Sequence, residues 1–199
     1  MKKIPAWAIT VAALLLSILL AANFIKANKD TARQARNSDS DEKILILAKT
    51  DFKEIKDALG QYPKDLTQKT ALEQGFIVSQ GNELKGDSAK LWKNFCQKVA
   101  KKKEGAVLIA QYTAEGDAVV QYISHKDGTF YYVKDTTRDE YGTQGYASHK
   151  YSYLKRFKEN ETYYAALSTK DNMTLKELKK SESLKHSAVI MSADAEGLE

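Results

Sequence analysis

Two short stretches of this sequence gather carboxylates of the kind that could do acid–base chemistry or hold a hard cation. One is Glu115-Gly116-Asp117. The other is Asp135-Thr136-Thr137-Arg138-Asp139-Glu140-Tyr141-Gly142. Carboxylate oxygens ligate Ca²⁺ when several converge, and a pair can share a proton-transfer task when their environments differ. If the strands around these turns pair as an up-down-up meander, both turns fall at one end of the sheet. Glu115, Asp117, Asp135 and Asp139 then cluster with Arg138 beside them. These five are the candidate binding residues. The plainer alternative is a set of solvated turn residues with one Arg–Asp surface pair.

Other chemistry is thinly represented, and no catalytic residue, metal-ligand set or cofactor is assigned. No Gly-rich phosphate loop occurs. His125, His149 and His186 are far apart and lack ligand spacing. Ser152-Tyr153-Leu154-Lys155 matches the Ser-x-x-Lys of penicillin-binding sites, but it falls in an expected strand and no Lys-Thr-Gly follows. Cys96 is the single cysteine, so no internal disulfide forms. It sits beside Phe95 and one turn after Trp92, as a structural thiol would. Asn160-Glu161-Thr162 and Asn172-Met173-Thr174 are glycosylation sequons by pattern alone.

The net charge of +5 suggests a nucleic-acid partner until it is divided along the chain. Residues 1–40 hold Lys2, Lys3, Lys26, Lys29, Arg33 and Arg36 against Asp30 and Asp39, leaving 25 basic and 24 acidic residues for 41–199. The basic excess thus flanks the uncharged apolar run Ile4–Ile25, where it would meet anionic head groups. A nucleic-acid partner is therefore not expected. As a helix, those 22 residues reach roughly 33 Å, against a hydrocarbon core of ~30 Å. A single-pass anchor is expected over 1–25, with the membrane as partner. The competing reading is a cleaved signal leading to secretion. Against it stand the length of the run and the poor small-x-small pattern of Leu20-Ala21-Ala22 and Ile25-Lys26-Ala27. A count of Lys and Arg at the two ends slightly favours a cytoplasmic domain, whereas the short basic start before a long apolar run is that of an export signal. The expected placement is extracytoplasmic.

The remaining elements must position the turns. Residues 26–43 form a polar linker, 44–191 a domain, and 192–199 an acidic tail expected to fray. Ile44, Leu47, Ala48, Phe52, Ile55 and Leu59 fall at helical spacing, with Asp41 available as N-cap. A short helix over about Thr67–Gln74 and a short strand at Phe76–Val78 follow. Leu91, Trp92, Phe95, Cys96 and Val99 make one apolar helix face, for which Asp87 or Ser88 can cap. Ala106–Thr113, Ala118–Ser124, Thr129–Lys134, Tyr151–Phe157 and Tyr163–Ser168 read as five strands, with Glu115-Gly116 and Asp127-Gly128 supplying hairpin glycines. A helix over Met173–Leu184 and a last strand at Ala188–Met191 end the domain. The expected class is α+β: a helix packed on a mostly antiparallel five-stranded meander, preceded by one N-terminal transmembrane helix.

The same segments carry a resemblance. Gly75-Phe76-Ile77-Val78, then Trp92, Phe95 and Val99, then Tyr112-Thr113-Ala114-Glu115-Gly116-Asp117, Asp127-Gly128 and Asp135–Gly142 resemble the bacterial family called domain of unknown function 4362. The likeness covers roughly Ala71–Gly142, with a weaker continuation to Ser168. It implies an exported or membrane-attached product of a Gram-positive bacterium, often a lipoprotein, and brings no known activity. This chain departs from that pattern in having neither a lipobox cysteine nor the cysteines often found near the end of the family domain. The resulting expectation is a membrane-tethered extracytoplasmic binding or interaction module of a bacterial cell envelope, with an envelope protein or small ligand as partner. The alternatives are an envelope hydrolase using the turn carboxylates and a cytoplasmic-facing regulatory domain.

Overall fold

The computed structural model describes residues 49–199 except 182, 197 and 199. In chain order the elements are α1 (Phe52–Leu59), α2 (Gln68–Glu73), β1 (Ile77–Gln80), β2 (Glu83–Lys85), α3 (Ser88–Ala100), β3 (Gly105–Tyr112), β4 (Ala118–Lys126), β5 (Thr129–Asp135), β6 (Tyr146–Tyr151), β7 (Tyr153–Glu159), β8 (Thr162–Ser168), α4 (Leu175–Lys180) and β9 (Ser187–Asp194). The strands form a six-stranded sheet, β2-β1-β3-β4-β5-β6, and a three-stranded sheet, β7-β8-β9.

β3 is apolar along nearly its whole length and buried on both faces, as a strand covered on two sides must be. Val107 and Ile109 point to one core, together with Trp92 and Phe95 of α3, Tyr132 of β5 and Ala165, Leu167, Ile190 and Met191 of the smaller sheet. Ala106, Leu108 and Ala110 point to the other, with Ile55 and Leu59 of α1, Leu66, Ala71 of α2 and Phe76. The alternation of side chains along a strand thus divides the interior into two layers. Polar ties cross the first. Trp92 Nε1 donates to Tyr163 Oη at 2.9 Å. Gln121 Nε2 donates to the Ile190 carbonyl at 3.0 Å, and Tyr132 Oη donates to Gln121 Oε1 at 2.8 Å.

The expected α+β class, with one five-stranded meander, is corrected: the described residues are mostly β, with nine strands in two sheets. Three causes are visible. First, β1 pairs with β3 in parallel, Ile77 opposite Ile109, which needs a long crossover, and α3 supplies it. Second, the expected strand Tyr151–Phe157 divides at Ser152. Tyr151 ends β6 inside the core, whereas Tyr153 begins β7 and is 38% exposed. Third, the expected frayed tail continues β9 through Asp194, and Ala193, Ala195 and Leu198 are buried. The transmembrane helix included in that class falls outside the described residues, as does the stretch 44–48. Among the described residues no helix is long and apolar enough to cross a membrane.

Local signals set the helix limits. Asp51 caps α1 by accepting from Glu54 N, and Thr174 and Glu177 form a reciprocal capping box that starts α4 later than expected. At α3, Asp87 makes no side-chain cap bond. Ser88 Oγ instead donates to the Lys85 carbonyl and accepts from Val78 N at 2.8 Å, tying the helix start to β1.

Removing the indole tie should loosen the union of the two sheets. Trp92→Phe is expected to cost about 1–3 kcal/mol and Trp92→Ala about 3–5 kcal/mol, from the lost hydrogen bond plus the cavity. Urea unfolding of the full chain, followed by circular dichroism, measures both; equal midpoints for wild type and Trp92→Ala would contradict this packing.

Candidate functional site

The two carboxylate turns do meet. The β3–β4 turn is closed by Thr113 N donating to the Asp117 carbonyl at 2.9 Å and by Asp117 N donating to Thr113 Oγ1 at 3.1 Å. Gly116, with φ of 99°, holds a conformation that a side chain would strain. Asp117 Oδ2 then accepts from the backbone of Glu140 at 2.9 Å, so the loop after β5 rests against this turn. That loop is internally bonded. Thr136 Oγ1 donates to the Thr143 carbonyl at 2.7 Å, and Asp139 Oδ1 accepts from Gly142 N at 2.9 Å. A Cβ at Gly142 would meet the Asp139 carboxylate and push it aside.

Asp135 and Arg138 lie behind this surface. Asp135 is fully buried and Arg138 only 5% exposed, and they form an ion pair through Asp135 Oδ2. The other carboxylate oxygen accepts from Thr137 N at 2.9 Å and Thr137 Oγ1 at 2.7 Å. The guanidinium donates from Nε to the Pro63 carbonyl at 2.9 Å, and from Nη2 to the carbonyls of Leu59 at 2.8 Å and Tyr62 at 3.0 Å. Leu59 is the last residue of α1, and its carbonyl, which also accepts from Tyr62 N at 3.3 Å, is one of three that the planar fork gathers. Both residues of the pair are thus committed to holding the 59–63 segment against the sheet.

This arrangement forms a cleft of about 360 Å³ at the same end. Lys64, Asp65, Thr67 and Gln68 line one wall, and Tyr112 and Asp117 line the other. Tyr112 Oη donates to the Leu66 carbonyl at 2.9 Å and closes the floor; burial pushes its hydroxyl up to about 12, opposed by the nearby Arg138 charge. Of the five expected residues, only Asp117 lines the cleft. Glu115 is exposed beside it, Asp139 is bonded within its own loop, and Asp135 and Arg138 are buried. The wall 64–68 was not expected from sequence. Its sole local signal is the chain break at Tyr62-Pro63, and the bond that holds Pro63, just before it, to Arg138 spans 75 residues.

Other candidate groups serve packing. His125 Nδ1 lies 3.1 Å from the Lys103 carbonyl and its ring packs on Phe130, while His149 packs on Tyr151. Among the described residues no three His, Cys, Asp or Glu converge to hold a metal ion. Cys96 is half-buried on α3, and burial pushes its thiol up to about 11, against the lowering effect of nearby Arg156.

With the geometry assembled, the chain can be compared with known proteins. Residues 77–165 match the family described as domain of unknown function DUF4362. The DUF4362 stretch begins at β1 and ends within β8, so it contains the β3–β4 turn, the loop after β5 and the whole central sheet. It agrees with the resemblance carried by Tyr112–Asp117 and Asp135–Gly142. The cleft wall 64–68 lies outside it. No curated protein and no solved structure matches the chain.

Two measurements follow from this site. Arg138→Met leaves a buried carboxylate without its cation and takes a donor from three carbonyls, so it should lower stability by about 3–5 kcal/mol. Asp139→Asn keeps its acceptor and should change stability by less than about 0.5 kcal/mol. Urea midpoints that place the two variants together would contradict a buried clamp. Separately, the raised thiol pKa leaves Cys96 protonated at neutral pH. Its alkylation in the native chain should be slow at pH 8 and rise as the pH approaches about 11; a rate already level by pH 9 would contradict this.

Proposed function

We propose that this chain is a binding or interaction module of a bacterial cell envelope, held at the outer face of the membrane by its N-terminal apolar segment. The observation that carries the binding role is the cleft, which bears polar side chains on two walls joined by hydrogen bonds from Tyr112 to Leu66 and from Arg138 to Pro63. Sites of this volume with a few directed polar groups suit a small ligand or one anchoring side chain of a protein partner. Support for the tether comes from the uncharged run Ile4–Ile25, its basic flanks and the polar linker that follows.

Hydrolysis by the turn carboxylates is less well supported. An acid–base pair needs two carboxylates facing one reacting bond. Asp135 has both oxygens engaged by Thr137 and Arg138, which leaves Asp117 as the one turn carboxylate lining the cleft.

The reading makes two checkable demands. A phosphatase fused after Glu199, which reports only outside the cytoplasm, should be active in cells; activity of a cytoplasm-only reporter in the same position would point to the regulatory alternative. In the full chain, a photo-crosslinker placed at Lys64 should give a discrete adduct in intact cells that the same group at Lys93 on α3 does not. Absence of any adduct specific to position 64 would count against a binding role for the cleft.

A further inference from the structure

The nearly equal acidic and basic totals of residues 41–199 conceal a separation of charge along the central sheet. β3 runs from Gly105 to Tyr112, which puts its ends ~23 Å apart. At its starting end lie the last turn of α3 and the β4–β5 hairpin, with Lys101, Lys102, Lys103 and Lys126. Lys150 reaches the same end, because Tyr131↔Lys150 and Ser124↔Tyr131 are paired positions. Acids at this end include Asp51, Glu54, Glu104 and Asp127; Glu54 is engaged by Lys49 at 2.9 Å and Glu104 by Lys126 at 3.4 Å. Lys101, Lys102 and Lys103 are exposed and make no ion pair among the described residues. At the far end stand Asp65, Glu115, Asp117, Asp139 and Glu140, against Lys64 and Lys69.

A second observation gives this separation a direction. The chain enters the domain towards the lysine-rich end. Lys49 N donates to Tyr122 Oη at 2.7 Å, and Ser124 Oγ donates to the Lys49 carbonyl at 2.8 Å. From there α1 leads from Phe52, packed on Tyr131, to Leu59 beside Arg138. The clasp therefore fixes Lys49, the first described residue, on the basic side, with the cleft on the acidic side.

We infer that the lysine-rich end is a membrane-facing surface that rests on anionic lipid head groups and turns the cleft away from the bilayer. This rests on the tethered reading given under the proposed function. Lysines near an anionic surface each add attraction that falls off within a Debye length, and the acidic far end is repelled by the same field. Tether and charge thus act in one direction.

The test uses the full chain in lipid nanodiscs, with Cys96→Ala removing the native thiol and a donor dye placed through Lys101→Cys or Glu115→Cys. An acceptor dye marks the lipid head groups. In nanodiscs of phosphatidylcholine with phosphatidylglycerol, transfer from position 101 should exceed that from position 115 by at least about twofold, given ends ~23 Å apart. The difference should shrink in phosphatidylcholine alone and in ~1 M salt, where the Debye length falls to about 3 Å. Replacing Lys102 and Lys103 by Glu should abolish it. A chain retained by the nanodisc but giving equal transfer from both positions overturns the orientation alone. A chain not retained by the nanodisc overturns the tethered reading, and the inference falls with it.

Discussion

The organisation of this protein turns on one buried cation. Arg138 is placed by the chain almost out of reach of water, and its charge is tolerable because Asp135 neutralises it and three carbonyls accept from it. Those carbonyls belong to the end of α1 and to the turn that follows, so one side chain decides where a distant segment of backbone runs. The segment continues into the cleft wall, and the loop that carries Arg138 also supplies the Glu140 amide that holds Asp117. The course of the chain after α1 and the position of the cleft wall it leads into therefore both depend on this interaction. A lysine could neutralise Asp135, but its single ammonium could not reproduce the fork that reaches three carbonyls.

Much of the central sheet was legible in the sequence. The β3–β4–β5 meander announces itself through β-rich runs joined at Glu115-Gly116 and Asp127-Gly128, and the meeting of the two carboxylate turns follows from strand order alone. α3 was legible because its apolar residues recur at helical spacing. What escaped reading depends on long-range contact. β1 is too short to declare a parallel partner, and nothing near Ser152 marks the change of sheet. The pair Asp135–Arg138 looks in sequence like a solvated turn pair. It is buried because residues 59–63 close over it, and no local pattern encodes that.

Net charge proved a poor summary of this surface. Counting the chain in blocks shows why a nucleic-acid partner is not expected, yet the same count hides how folding sorts the remaining charges. Hairpin turns alternate between the two ends of a meander, so a sequence that places acids in one turn and lysines in the next becomes polarised along its strands. The effect comes from topology acting on residues that look evenly mixed when read linearly.

The division at Ser152 has a bearing on how the molecule avoids its own kind. β6 and β7 follow each other directly, each is the outermost strand of its sheet, and as one continuous strand they would present a long row of unpaired backbone groups to any passing chain. Passing from one sheet to the other at Ser152 breaks that row into two shorter edges, with Lys150 on one and Lys155 and Lys158 on the other. Short edges dressed with lysine are poor templates for strand addition. The two opposite edges are shielded differently: Asp194 N donates to the Asn82 carbonyl at 2.7 Å, so the ends of β9 and of the β1–β2 hairpin cover each other. A protein this rich in strands thus leaves little open edge on which aggregation could begin.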